Sequence, residues 1–208
     1  SNNLSLEDLD YTLPQVEILG QTKVEGRLYG SRSNLKVRGN VASEPVKING
    51  NDVGQISGKV SYDNARLNIS ETTIRKDRNR YQLDANLDLY QKKFNSLVLN
   101  IEKGSFDYLA QFLPFNLDLP YEYKGQVRAS GPIFEPSLNL DIMVPDIQRE
   151  GYLNIEGSYL FNKGLNLDLF AKGFNINSIS HLELLPYDLS GKLNLRGQVT
   201  GDLEELNL

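Results

Sequence analysis

The side chains able to do chemistry are sparse and scattered. The single histidine, His181, has no second imidazole and no thiol to work with, so it reads as a surface residue on the polar side of a short helix, not as a base or ligand. Carboxylates pair at Glu7 with Asp8 and at Asp84 with Asp88. Asp84 and Asp88 share the wet side of a period-two stretch, where solvation explains them more simply than calcium binding or acid–base work. No GxSxG, GxGxxG, Walker loop, HExxH or CxxC occurs, which leaves nucleophile, nucleotide and metal chemistry without a motif. The expectation is a non-enzyme, with no catalytic residue, no metal and no cofactor. The only dense basic run, Arg75-Lys76-Asp77-Arg78-Asn79-Arg80, reads as a solvated hairpin tip, the alternative being a contact with acidic lipid head groups or a partner.

Composition sets what kind of scaffold could carry these residues. The 208 residues are 39% apolar and 24% charged, with a net charge of −5. That apolar share lies below the roughly 45–50% of ordinary globular chains, as expected of a sheet that is apolar on one face only. An acidic chain lacks the cationic face that nucleic acid requires, so nucleic acid is set aside as a partner. Cysteine is absent, and neither a disulfide framework nor a zinc cluster can be drawn. No apolar stretch approaches the roughly 18 residues that span a bilayer. Ser1-Asn2-Asn3 opens without a signal peptide, and Glu204 to Leu208 stops partway through a strand pattern. The chain is therefore expected to be an internal segment of a longer protein.

Period-two alternation dominates the sequence. Tyr81, Leu83, Ala85, Leu87 and Leu89 alternate with Gln82, Asp84, Asn86, Asp88 and Tyr90, the signature of a strand with one wet face and one apolar face. Leu97, Leu99 and Ile101 repeat the pattern, as do Leu138 to Val144, Leu153 to Phe161 and Leu165 to Ala171. Turn signals at Asp63-Asn64, Asp77-Arg78-Asn79 and Asn162-Lys163-Gly164 join these runs into antiparallel neighbours. Short helical patches with i, i+3 spacing are expected near residues 105–113, behind Gly104-Ser105, and near 175–183, behind Asn175; Leu6 and Leu9 repeat the pattern behind Ser5.

One element recurs three times. Leu13-Pro14, Leu113-Pro114 and Leu185-Pro186 each lead into a glycine strand, with Gly20 and Gly26, Gly125 and Gly131, Gly191 and Gly197 at equivalent steps. A hairpin recurs as well, GKVSYDNARLNI from Gly58 and GSYLFNKGLNL from Gly157. Repeated units cannot bury their own apolar faces and must stack on neighbours. The expected fold is mostly β, an elongated antiparallel meander curled into an open groove. It would be one continuous array with repeat-like units at about 4–103, 104–172 and 173–208. The repeat glycines share the parity of the apolar residues. Either they let a coiled sheet bend or seat the short helix, or they widen an apolar trough.

The segments Leu185 to Leu208, Tyr123 to Ile142 and Val53 to Ile69 together resemble the TamB/AsmA-like family of repeating β-groove proteins. The Gly131-Pro132 to Pro136-Ser137-Leu138 close is especially similar. The resemblance implies a periplasmic β-taco, part of a protein anchored in the inner membrane, that carries phospholipids toward the outer membrane. It also implies contact with an outer-membrane β-barrel protein through regions outside this chain. The groove floor would then be Leu83, Ala85, Leu87, Leu89, Leu97, Leu99, Ile101, Leu138, Leu140, Ile142, Leu153, Ile155, Leu165, Leu167 and Leu169, with Gly20, Gly26, Gly125, Gly131, Gly191 and Gly197 among them. Its occupants would be phospholipid acyl chains. An exposed trough also predicts groove-to-groove self-association. Two other readings stay open: a scaffold for outer-membrane β-barrel assembly, whose strand edges pair with client strands, and a structural β-solenoid with a dry core.

Overall fold

A computed structural model describes residues 2–5, 17–31, 34–111, 121–146, 150–160, 164–175 and 191–201. The strands are β1 (Asn2–Ser5), β2 (Ile18–Leu19), β3 (Gln21–Ser31), β4 (Asn34–Ser43), β5 (Val46–Ile48), β6 (Asn51–Asp63), β7 (Arg66–Lys76), β8 (Asn79–Asp88), β9 (Lys93–Ser105), β10 (Glu122–Pro132), β11 (Ser137–Pro145), β12 (Tyr152–Leu160), β13 (Gly164–Asn175) and β14 (Lys192–Gly201). One helix, α1 (Phe106–Ala110), lies among the described residues. The protein is thus mostly β, an antiparallel meander, as the alternation predicts.

Tertiary contacts group the chain into two compact units, Ser1–Leu99 with Ser130–Phe134, and Asn100–Ala129 with Glu135–Leu208. In the first unit the strand order is β1-β3-β4-β6-β7-β8-β9, with β2 and β5 forming a short ribbon beside β6. In the second it runs β9-β10-β11-β12-β13-β14.

Turn chemistry explains the hairpins of the first unit. Asn64 and Ala65, at φ 48° and 60°, form the two-residue connection between β6 and β7. Asp77, at φ 53°, turns β7 into β8. Both lie where Asp63-Asn64 and Asp77-Arg78-Asn79 predict them. Asn49-Gly50, at φ 50° and 80°, joins β5 to β6. Positive φ at both central residues matches the right-handed twist of paired strands, and Asn-Gly adopts it most readily. That signal is legible in the sequence. Of the expected Asn162-Lys163-Gly164 turn, only Gly164 is described, at φ 76°.

The meander is not perfectly regular. On β7 the register slips by one residue against both neighbours, between Ser70 and Thr73 against β6 and between Ile69 and Thr72 against β8. Glu71 takes φ 50° there. Its N–H, lost to the ladder, donates to Asp84 Oδ1 at 3.0 Å, and its carboxylate accepts from Lys59 at 2.6 Å. Asp84 therefore satisfies the orphan donor of a β-bulge.

In the second unit a small core forms around aromatic residues. The Tyr121 and Phe174 rings lie 5.0 Å apart, both side chains are buried, and the Tyr121 hydroxyl donates to the Asn175 carbonyl at 2.7 Å. Helix α1 starts at Ser105, whose Oγ accepts from the Tyr108 N–H. Phe106 packs on Tyr123 at 5.0 Å, and the Tyr123 ring fills the place a Cβ on Gly104 would take, 2.5 Å from its Cε2 and Cζ. The expected helix near 105–113 is thus present as α1. Asn175, behind which the second was expected, ends β13, and residues 176–190 fall outside the described residues, as do Leu6, Leu9 and all three Leu-Pro steps.

Candidate functional site

Cross-strand register decides which side chains share a face, because directly opposed residues of an antiparallel pair point the same way. In the first unit Leu28, Val37, Tyr62, Leu67 and Leu87 form one row across β3, β4, β6, β7 and β8. The next row is Gly26, Gly39, Val60, Ile69 and Ala85. On the opposite face the matching rows are polar: Arg27, Arg38, Ser61, Asn68 and Asn86, then Glu25, Asn40, Lys59 and Ser70. Asn86 donates to Asn68, and Asn95 donates to Asn86 at 2.6 Å, so the polar rows are tied by a side-chain ladder.

The second unit repeats the segregation. Leu140, Gly157, Leu167 and Val199 form one apolar row, Ile142, Ile155, Leu169 and Gly197 another, and Val144, Leu153, Ala171 and Leu195 a third. Leu138 and Leu165 meet across Tyr159. The other face carries Asp141, Glu156 and Asp168 side by side.

Of the expected floor residues, Leu83, Ala85 and Leu87 thus come together in the first unit, and Leu138, Leu140, Ile142, Leu153, Ile155, Leu165, Leu167 and Leu169 in the second. Leu97 and Leu99 lie half-buried on β9 and Ile101 is buried. Leu89 departs from the pattern: it sits past the end of β8 in a turn, its N–H donating to the Ala65 carbonyl and its side chain 42% exposed. The alternation continues through it in sequence, but the strand has already ended. Val37, Val60, Tyr62, Leu67 and Ile69 line the same face and were missed as site residues, although each alternates with a polar neighbour.

Most of these apolar side chains are half-buried and few are sealed: Ala85, Val144 and Ala171 are buried, while Leu28 is 68% exposed and Leu195 43%. A side chain loses about 1.5–3 kcal/mol of burial energy if left in water. A half-covered apolar face therefore has affinity left for an apolar occupant.

The glycines divide by environment. Gly26 faces Gly39, and a Cβ on it would overlap the Arg38 carbonyl oxygen and lie 2.9 Å from Gly39 Cα. Gly125, at φ 150°, meets the Asp141 carbonyl oxygen and Ile142 Cα in the same way. These two let neighbouring backbones approach closely. Gly197 shares the row of Leu169 with no described residue within 4 Å of a Cβ placed on it, and Gly131 lies near the end of β10 at φ 93°. Gly20 and Gly191 precede β3 and β14 and belong to no strand.

Charged candidates take structural roles. Asp84 caps the bulge, and Asp88 accepts from the Gln91 N–H at 2.8 Å. In the basic run, Arg75 opposes Arg80 across the hairpin, and Lys76 reaches Asp52 at 3.0 Å. The Lys76 hydrogen bond, helped by the Gly54 N–H, holds the Asp52 carboxyl below the ordinary carboxylate range against a smaller desolvation effect. His181, Glu7 and Asp8 lie outside the described residues. Among the described residues no group of three or more His, Cys, Asp or Glu is placed to hold a metal ion, and no helix is long and apolar enough to cross a membrane.

Comparison of the chain with protein-family models, with curated proteins and with solved structures finds no match. The functional reading therefore stands on the residues and their arrangement.

Proposed function

We propose that this chain is a segment of a bridge-like lipid-transport protein of the TamB/AsmA-like kind, in the periplasm, shielding phospholipid acyl chains between inner and outer membranes. The observation that carries the reading is the register: in each unit, rows of Leu, Ile, Val and Gly occupy one face and stay half-covered, while the other face is mainly polar, with Met143, Tyr152, Leu160 and Phe170 of the second unit as exceptions. Moving a palmitoyl-length tail through water costs roughly 12 kcal/mol, at about 0.8 kcal/mol per methylene. An apolar strip lowers that barrier by contact alone and needs no reactive group, in keeping with the lack of catalytic motifs.

Photo-crosslinking tests this. A benzophenone side chain at Leu87 or Leu167 of the full-length protein in cells is expected to capture phospholipid, whereas the same probe at Asn86 or Asp168, on the polar face, is not. Leu87→Asp and Leu140→Asp are expected to block lipid passage while the protein still accumulates. Capture of nascent barrel proteins at Leu87 and Leu167 in place of lipid would replace this reading with the assembly-scaffold one.

A further inference from the structure

On the polar face of the first unit, β3, β4 and β6 line a concavity of about 910 Å³ that includes Arg27, Arg38, Asn40, Lys59 and Ser61. Arg27 and Arg38 are directly opposed across β3 and β4. Like charges in that position repel and destabilise a strand pair, so the arrangement calls for a compensating anion. The lysines around it have one each: Lys23 meets Glu25 at 2.7 Å, Lys36 meets Asp63 at 2.7 Å and Lys59 meets Glu71 at 2.6 Å. Neither arginine has a carboxylate partner among the described residues. Glu25, a carboxylate on the lining, is already engaged by Lys23.

We propose that this concavity binds a phosphate monoester or diester, held between the Arg27 and Arg38 guanidiniums. Planar guanidiniums offer paired N–H donors that match phosphate oxygens two at a time. The hydroxyl of Ser61, next to Arg38 in its row, and the Asn40 side-chain amide supply neutral donors beside them. Gly26, Leu28, Gly39 and Val60 of the apolar rows also border the concavity, but its binding of phosphate rests on the arginines and does not depend on the acyl-chain reading. Arg75 and Arg80 form a similar opposed pair at a hairpin tip but line no part of this concavity. They serve as the internal control.

The experiment titrates inorganic phosphate, and separately dihexanoyl phosphatidylglycerol below its micelle concentration, into the 208-residue chain by calorimetry. Saturable binding is expected, weakened about 10-fold by R27Q or by R38Q and abolished by the pair, because each removes charge-assisted hydrogen bonds. R75Q/R80Q should bind as the parent does, and R27K/R38K should retain part of the affinity. Tighter binding of the lipid than of phosphate identifies a head group as the source; equal or tighter binding of phosphate identifies the free anion. Absence of saturable binding at millimolar concentrations of both, or equal affinity in R27Q/R38Q, overturns the proposal. Circular dichroism spectra matching the parent establish that each variant is folded.

Discussion

Gly26 and Gly197 stand at the same step of the repeated glycine strand, yet alanine is expected to act oppositely at the two positions. At Gly26 a Cβ would overlap the Arg38 carbonyl oxygen, with Gly39 Cα at 2.9 Å and the Arg38 carbonyl carbon at 3.2 Å. These are backbone atoms of the paired strand, which cannot swing aside as a side-chain tip can, so β3 and β4 must part. Overpacking of this kind costs about 1–3 kcal/mol. Alanine also restricts the unfolded chain, which returns about 0.4–1 kcal/mol. The net expectation for Gly26→Ala is a loss of about 1–2 kcal/mol, or a Tm lower by roughly 2–8 °C for a chain of this size. At Gly197 no described residue lies within 4 Å, so only the unfolded-state gain remains and Tm should rise by roughly 1–4 °C. Gly39→Ala provides a reciprocal check, since its Cβ would stand 2.8 Å from the Glu25 carbonyl oxygen. Urea unfolding followed by far-ultraviolet circular dichroism suits a chain without tryptophan. The reasoning fails if Gly26→Ala and Gly197→Ala shift stability in the same direction with unchanged m values.

Two further predictions concern charge. Because Lys76 holds the Asp52 carboxyl down, that contact contributes stability above the unfolded-state carboxyl pKa and loses it as pH falls through the lower folded-state value. Asp52→Asn should therefore cost about 0.2–1 kcal/mol at neutral pH and nothing once the pH is well below the folded-state value; a cost unchanged by acid, measured by urea midpoints, would contradict the assignment. Glu156 stands between Asp141 and Asp168 in a row of like charges, so Glu156→Gln should stabilise the chain by about 0.2–1 kcal/mol. The gain should shrink as salt is added, and a gain insensitive to salt would point to a different cause.

Much of this was legible along the chain. Alternation from Tyr81 to Leu87 marks β8 and its apolar side, and Ser105 followed by Phe106 and Leu109 marks α1. At Leu89 the alternation outruns β8, because period two describes side-chain parity and does not mark where a strand ends. Asp84 reads as solvated surface in the sequence, and only the bulge at Glu71 reveals its role.

The sequence by itself determined the strand class, the two faces and several of the turns, because these depend on residues one to four positions apart. It could not determine register. That Gly26 meets Gly39, that Arg27 meets Arg38 and that three carboxylates line up across β11, β12 and β13 follow from pairing between separate strands. A slip of one residue would exchange every inward and outward side chain. Only the tertiary structure selects among those registers, and with them whether a repeated glycine is crowded, as at Gly26, or free, as at Gly197.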